Sequence, residues 1–319
     1  SNQSDFSWTL DNLIYYDKEF GKHSVGLTLL QSATGYHYEE SSMAAEGIPL
    51  ESAKWNALSK ENVSLLDEWN SGLIEKQLLS YMFRVNYDYN NKYLLTVSGR
   101  WDGASQLAEG NKWAFFPSAA LGWRLDQEEF LKDVTWLNQL KFRLGVGVTG
   151  NSAIDPYQTK GAIVSLYYPF GSALAPGYAA SEPLIKDGAV AMANKNLSWE
   201  KTTQYNIGLD YSVLNGRISG VLDFYTSRTT DLLMAMTIPS LNGYTNTYAN
   251  VGKTSNIGVD ITLNTVNVKT RDFEWSTSIN AAWQKDKIDE LANGKEDDIN
   301  NNWFIGQALG VIYGYECGG

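Results

Sequence analysis

A single cysteine, Cys317, stands in the 319-residue sequence, so no disulfide can form within the chain and cysteine usage says nothing about its compartment. Proline is scarce at 7 residues, and histidine scarcer at 2. His23 and His37 fall on or beside one early strand-like run, with no cysteine or carboxylate cluster at ligand spacing, which leaves them structural or surface residues. No stretch of about 18 apolar residues occurs, so there is no transmembrane helix, and any place in a membrane must be taken as a barrel. Clustered lysine and arginine are missing as well: the net charge is −11, which excludes nucleic acid as a partner. The excess acid is concentrated in two segments, Glu39 to Lys76 and Asp286 to Asn302, which read as solvated loops.

Chemistry-bearing constellations are equally sparse. Asp286, Asp289, Glu290, Glu296, Asp297 and Asp298 lie near one another but lack the alternating Asp/Asn-Gly pattern of a calcium loop, so they carry no metal assignment. Gly145 and Gly147 form a GxG inside a strand-like run and not before a helix, so they are small wall residues and not a phosphate cradle. Nothing indicates a catalytic group or a cofactor.

Aromatic residues, by contrast, make up 13% of the chain, with 11 Trp and 19 Tyr, and there are 28 Gly. That balance suits many twisted strands better than helices. The clearest stretch is Tyr81 to Gly150. Phe83, Val85, Tyr87 and Tyr89 alternate with Arg84, Asn86 and Asp88, and after Asn90-Asn91 the alternation resumes with Tyr93, Leu95, Val97 and Trp101 against Thr96, Ser98, Arg100 and Asp102. A period of two places one set on each face of a strand, and the Asn pair, tolerant of positive φ, turns the chain into an antiparallel hairpin. The same pattern returns at Leu140 to Thr149, at Thr203 to Val213 with its Asn215-Gly216 turn, at Ile218 to Phe224, at Asn256 to Asn264 and at Phe273 to Trp283.

Connections alternate in length. Short ones around Lys18, Asn90, Glu128, Asn215 and Thr270 are interleaved with long ones at Glu39 to Lys76, Gly103 to Lys112, Gly150 to Asn196, Thr229 to Gly252 and from Lys285 on. In the first long connection ESAKWNAL and SLLDEW have the look of short helical turns. All short links then lie at one end of the sheet, as in outer-membrane barrels. A soluble β-sandwich or propeller shares the alternation, but propellers have shorter strands and repeat in blades, which this sequence does not.

Several motifs carry a family resemblance: RWDGAS, NKWAFFPSAALGWRL, LKFRLGVGVTGN, NLSWEKTTQYNIGLDY, RISGVLDFYTSRTTDLL, NVGKTSNIGVDITL and IGQALGVIYGYE. In order and over most of the chain they resemble the barrel of the SusC/RagA family of TonB-dependent outer-membrane transporters, departing at Ala104, Gln106 and Leu107, where the family more often has Ser, Arg and Phe. The resemblance implies an all-β, antiparallel up-and-down transmembrane barrel of 22 strands, of which about ten are present. It also implies a plug domain inside the barrel and a SusD-like surface lipoprotein as lid. Oligosaccharides or peptides would be imported with energy from TonB, across the outer membrane of a Gram-negative bacterium, without covalent chemistry. Residues 1–319 then read as a partial barrel domain lacking plug and closing strands, because SNQSDFSWTL opens directly into a strand and the final CGG resembles no closing strand. A passive porin or adhesin barrel, or a soluble glycan-binding β protein, are the alternatives.

Three expectations follow. The Thr203, Tyr205, Ile207, Leu209 face points to lipid and the Gln204, Asn206, Asp210 face to the lumen. The strand of Trp8 and that of Trp275 stay unpaired with each other. The aromatics of the long connections, Trp55, Trp69, Tyr157, Tyr167, Tyr168, Tyr178 and Trp303, are the candidate substrate contacts, since sugar rings stack on aromatic faces.

Overall fold

The computed structural model describes residues 2–46, 65–160, 164–171, 173–179, 191–238, 246–292 and 294–314. Its strands are β1 (Asn2–Phe20), β2 (His23–Glu46), β3 (Leu65–Tyr89), β4 (Tyr93–Ala104), β5 (Trp113–Arg124), β6 (Leu137–Asn151), β7 (Val164–Phe170), β8 (Ala173–Ala179), β9 (Ala191–Met192), β10 (Glu200–Val213), β11 (Ile218–Thr230), β12 (Leu233–Thr237), β13 (Asn246–Asn250), β14 (Lys253–Lys269) and β15 (Glu274–Glu290). Ten of them form one antiparallel sheet in the order β1-β2-β3-β4-β5-β6-β10-β11-β14-β15, and two small sheets, β12-β13-β9 and β7-β8, occupy the long connections. β1 and β15 are the two edges. Among the described residues no ladder joins them, so the sheet is open, as expected for the Trp8 and Trp275 strands.

The period of two is realised strand by strand. On one face Tyr89, Tyr93 and Trp123 stack in a row at the short-turn end, with centroids 6.4 Å apart at each step. Farther along the same face Phe83, Trp101 and Phe115 form a second aromatic group, the last two 4.3 Å apart. Eight residues separate Tyr93 from Trp101, about 26 Å of strand, and Leu95 and Val97 stand exposed between them. The opposite face is polar and internally bonded: Thr96 Oγ1 donates to Asn86 Oδ1 at 2.9 Å, the Ser98 and Ser118 hydroxyls meet at 2.7 Å, and those of Thr202 and Thr229 at 2.8 Å. Tyr205 and Ile207 are exposed on the apolar face, while Asp210 shares the polar one with Arg143.

Short links are made by turn chemistry. Asn90 and Asn91 both adopt positive φ, 57° and 54°, and Asp88 accepts from the Asn91 N–H at 2.7 Å. Leu214, Asn215 and Gly216 do the same for β10–β11. The β5–β6 link is organised by Glu128, whose carboxylate accepts from Lys92 Nζ (2.8 Å), Trp123 Nε1 (2.9 Å) and the Tyr93 hydroxyl (2.8 Å). Those three donors favour the ionised form, the lysine most, and hold Glu128 at a pKa of about 2.

Some boundaries differ from the sequence reading. The first turn is Gly21-Lys22, so Lys18 lies within β1 opposite Val25. The expected insertion from Glu39 to Lys76 is largely strand: β2 continues to Glu46 and β3 starts at Leu65, in register throughout except for one irregularity at Ala44. SLLDEW is therefore strand from Leu65 on and not a helical turn, and ESAKWNAL lies outside the described residues. The backbone ladder of β2 and β3 continues here through a segment rich in polar residues. β15 likewise runs to Glu290, five residues past the point where a loop was expected.

Candidate functional site

The site lies at the end of the sheet where the long connections meet, and the RWDGA segment closes β4 there. Arg100 donates through Nε to both oxygens of Asp102, at 2.7 and 2.9 Å, and through Nη2 to the buried Ser80 hydroxyl at 2.9 Å, on the polar face. Trp101 joins the aromatic group on the other face. Gly103 lies under the Trp113 indole, which would sit 2.6 Å from any Cβ. Ala104, where the resemblance is weakest, is buried in a cluster with Leu107, Phe116, Ile154, Leu197 and Trp199. This cluster is the described apolar core. Phe116 reaches it from the polar face of β5, Trp199 meets that ring edge-on at 5.3 Å, and Trp199 Nε1 donates to the Lys112 carbonyl at 2.8 Å.

On that foundation a cleft of about 1010 Å³ opens between the upper part of β3, the β4–β5 loop and the β6–β10 connection. Glu75, Gln106, Tyr157, Thr159, Lys160 and Lys195 line it. Gln106 is fixed by donating to the Ser152 carbonyl at 2.9 Å, and the Tyr157 hydroxyl accepts from the Glu75 N–H at 3.3 Å. Tyr157 holds φ at 73°, a conformation disfavoured for an aromatic residue, and about half of its surface is open. Amides, hydroxyls and both signs of charge around an aromatic ring suit a hydroxylated or peptide-like ligand, and the described residues gather no cluster of three or more metal-ligating side chains.

Of the seven aromatics singled out in the sequence, the structure brings Tyr157 into this cleft. Tyr167 and Tyr168 lie on β7 opposite Pro176 and Ala175, and Tyr178 lies on β8 opposite Ser165. Trp69 is a β3 residue opposite Met43, and Trp303 closes a small turn by exchanging backbone bonds with Asp298. Trp55 lies outside the described residues. The acids of the last loop serve that loop: Asp297 accepts from the Ile305 N–H, Asp298 from the Asn301 N–H and Asp286 from the Leu309 N–H. Sequence reasoning missed Phe116, Leu197 and Trp199. For Phe116 there was a signal, since it is the one large apolar side chain on the polar face of β5.

The polar wall below carries one further group. Arg143 bonds Asp210 on β10 at 2.8 Å and Asp223 on β11 at 3.0 Å, tying three consecutive strands together. Gly208 leaves the room: a Cβ there would lie 2.5 Å from Asp223 Oδ1 and 2.6 Å from the Arg143 guanidinium.

Comparison with known proteins agrees with this architecture. Residues 1–313 match the family described as TonB dependent receptor-like, beta-barrel. TonB-dependent receptor SusC of Bacteroides thetaiotaomicron is 38% identical over 76% of this chain and 24% of its own length. TonB-dependent receptor P3 of Formosa agariphila is 32% identical over 97% of this chain and 31% of its own. The chain thus spans a quarter to a third of the curated relatives it matches. A RagAB peptide importer structure in the open-open state superposes with a TM-score of 0.84 at 25% identity, over 96% of this chain and 32% of that one. An open ten-strand sheet with an aromatic-banded apolar face and a hydrogen-bonded polar face is part of a larger barrel wall, apolar side to lipid, and the chain belongs to the SusC/RagA group of TonB-dependent receptor β-barrels of the Gram-negative outer membrane.

Proposed function

We propose that this chain forms part of the wall and mouth of a SusC-type importer that takes up oligosaccharides or peptides, driven by TonB acting on a plug inside the barrel and served by a SusD-like lipoprotein lid. The observation that carries the reading is the polar cleft with Tyr157, Lys160 and Lys195 at the long-loop end, supported from below by the Ala104–Trp199 core. A passive pore needs no such built mouth. The names of the relatives, a TonB-dependent SusC and a RagAB peptide importer, support the same reading. Binding and conformational gating account for such a role, and no residue here is assigned covalent chemistry.

The test is deletion of Tyr167 to Tyr178, the greater part of the β7–β8 hairpin, from the full-length transporter. Growth on the cognate glycan or peptide should be lost while the barrel still assembles, because loops contribute little to the wall. Unchanged growth with unchanged lid association would remove this hairpin from capture. Uptake that persists after the proton gradient is collapsed would instead favour a passive porin.

A further inference from the structure

On β11, β14 and β15 the lipid-facing surface changes character row by row toward the long-loop end. Phe224, Val259 and Trp283 lie abreast; the next row is Thr226, Ile257 and Lys285, and the row after that is Arg228, Ser255 and Lys287. Successive rows on one face are about 7 Å apart along the strand. The apolar band therefore ends at Ile257, and a basic row begins immediately above it. Lys295 comes in from the last loop, and Arg228, Ser255, Lys287 and Lys295 line a hollow of about 540 Å³ whose wall also includes the acids Asp289 and Glu290.

The polar atoms of this hollow are incompletely used. The Ser255 hydroxyl oxygen is buried without a hydrogen-bond partner among the described residues. Lys287 pairs with Asp289 at 3.1 Å and Lys253 with Glu290 at 2.6 Å, whereas Arg228, Lys285 and Lys295 have no ion pair among the described residues. At the corresponding end of β1–β3 the outward rows are Trp8, Gly35 and Gln77, then Phe6, His37 and Glu75, with neither lysine nor arginine. In a chain of net charge −11, such a basic row is a local feature and not the general character of the surface.

We propose that this hollow binds the phosphorylated headgroup of an outer-leaflet glycolipid. The face looks into the bilayer and not into the lumen, so its occupant is a membrane component and not cargo. The level just above an apolar band is where headgroups lie. Arg228 presents a planar fork that matches a phosphate's oxygens, Lys287 and Lys295 add point charges, and the Ser255 hydroxyl supplies the remaining donor. The inference rests on the outward orientation of this face and is independent of which nutrient the transporter carries.

The experiment uses the full-length transporter extracted in mild detergent, with bound glycolipid counted by native mass spectrometry. In Arg228→Gln/Lys287→Gln/Lys295→Gln the retained phosphorylated glycolipid should fall at least tenfold, while Lys160→Gln/Lys195→Gln at the mouth keeps the parental amount. Added phosphorylated lipid A should displace the bound species; dephosphorylated lipid A and millimolar inorganic phosphate should not. Equal retention by the triple variant, or equal competition by phosphate-free lipid A, overturns the proposal, and displacement by inorganic phosphate reduces the hollow to a simple anion site. Heat-modifiable migration confirms assembly, and Arg228→Lys, which keeps the charge, should retain partial binding if the triple variant does not assemble. Protection of Trp283→Cys from a membrane-impermeant maleimide separately checks that the face lies against lipid, so loss of orientation and loss of the headgroup site give different results.

Discussion

The two ends of the sheet hold their connections in different ways. At the short-turn end the links are closed by tight turns and polar bonds: Asn90 and Asn91 supply the left-handed φ values, and Glu128 collects Lys92 and Tyr93 from the adjoining hairpin and Trp123 from its own strand. At the long-loop end the stabilising group is an apolar cluster whose members, Ala104, Phe116, Ile154, Leu197 and Trp199, come from three separate parts of the chain. Local turn chemistry suits an end that only reverses direction. A packed core suits one that must present long segments in a fixed arrangement.

The strongest way to break that contrast is Trp199→Ala. It removes a large buried ring and its bond to the Lys112 carbonyl, and should cost about 3–5 kcal/mol of local stability while leaving the ladders in place; limited proteolysis should cut the β4–β5 and β6–β10 connections before the strands. Equal protection in the variant would mean that the loops are held by something other than this core.

The wall between the ends can be tested on each of its two faces. Leu209→Lys puts a charge on the lipid side and should cost about 2–4 kcal/mol if near the bilayer midplane, read from urea unfolding in lipid vesicles, whereas Gln204→Lys should be nearly silent. Gly208→Ala should cost about 1–3 kcal/mol by overpacking, because the added methyl meets Arg143 and Asp223. Nothing in the sequence around Gly208 announces the arginine that fills its space.

The smallest effect concerns pH. Glu128 has its pKa depressed to about 2 from 4.5, so its contribution is complete above about pH 4.5 and is lost as pH falls from there toward 2. The unfolding midpoint of the parent should fall more steeply than that of Glu128→Gln across this window. Parallel curves would remove Glu128 as the organiser of the short-turn end.

Strand order and facing were legible because a half-buried strand must alternate, and Thr203 to Val213 or Tyr93 to Asp102 could alternate in only one way. The Asn90-Asn91 and Asn215-Gly216 turns were legible for an equally local reason, their tolerance of positive φ. The β2–β3 arm was misread as a loop because Glu39, Glu40 and Glu75 look like solvated chain, although a ladder can carry polar residues on both faces. The cleft was hardly legible at all. Lys160, Lys195 and Gln106 have no periodicity, and only the meeting of distant connections gives them a common space.

Five glycines on this sheet each sit directly across from an aromatic ring: Gly35 from Trp8, Gly99 from Phe83, Gly103 from Trp113, Gly220 from Tyr211 and Gly258 from Tyr225. In each pair the ring comes within 2.3–2.7 Å of where a Cβ would be. Long alternating strands are nearly degenerate toward a slip of two residues, since apolar still meets apolar and polar still meets polar. A slip of two would carry every one of these rings off its glycine and onto a residue with a side chain. The ring-and-glycine pairs thus add, at five places across the sheet, a steric cost to a two-residue slip that the apolar pattern alone does not supply.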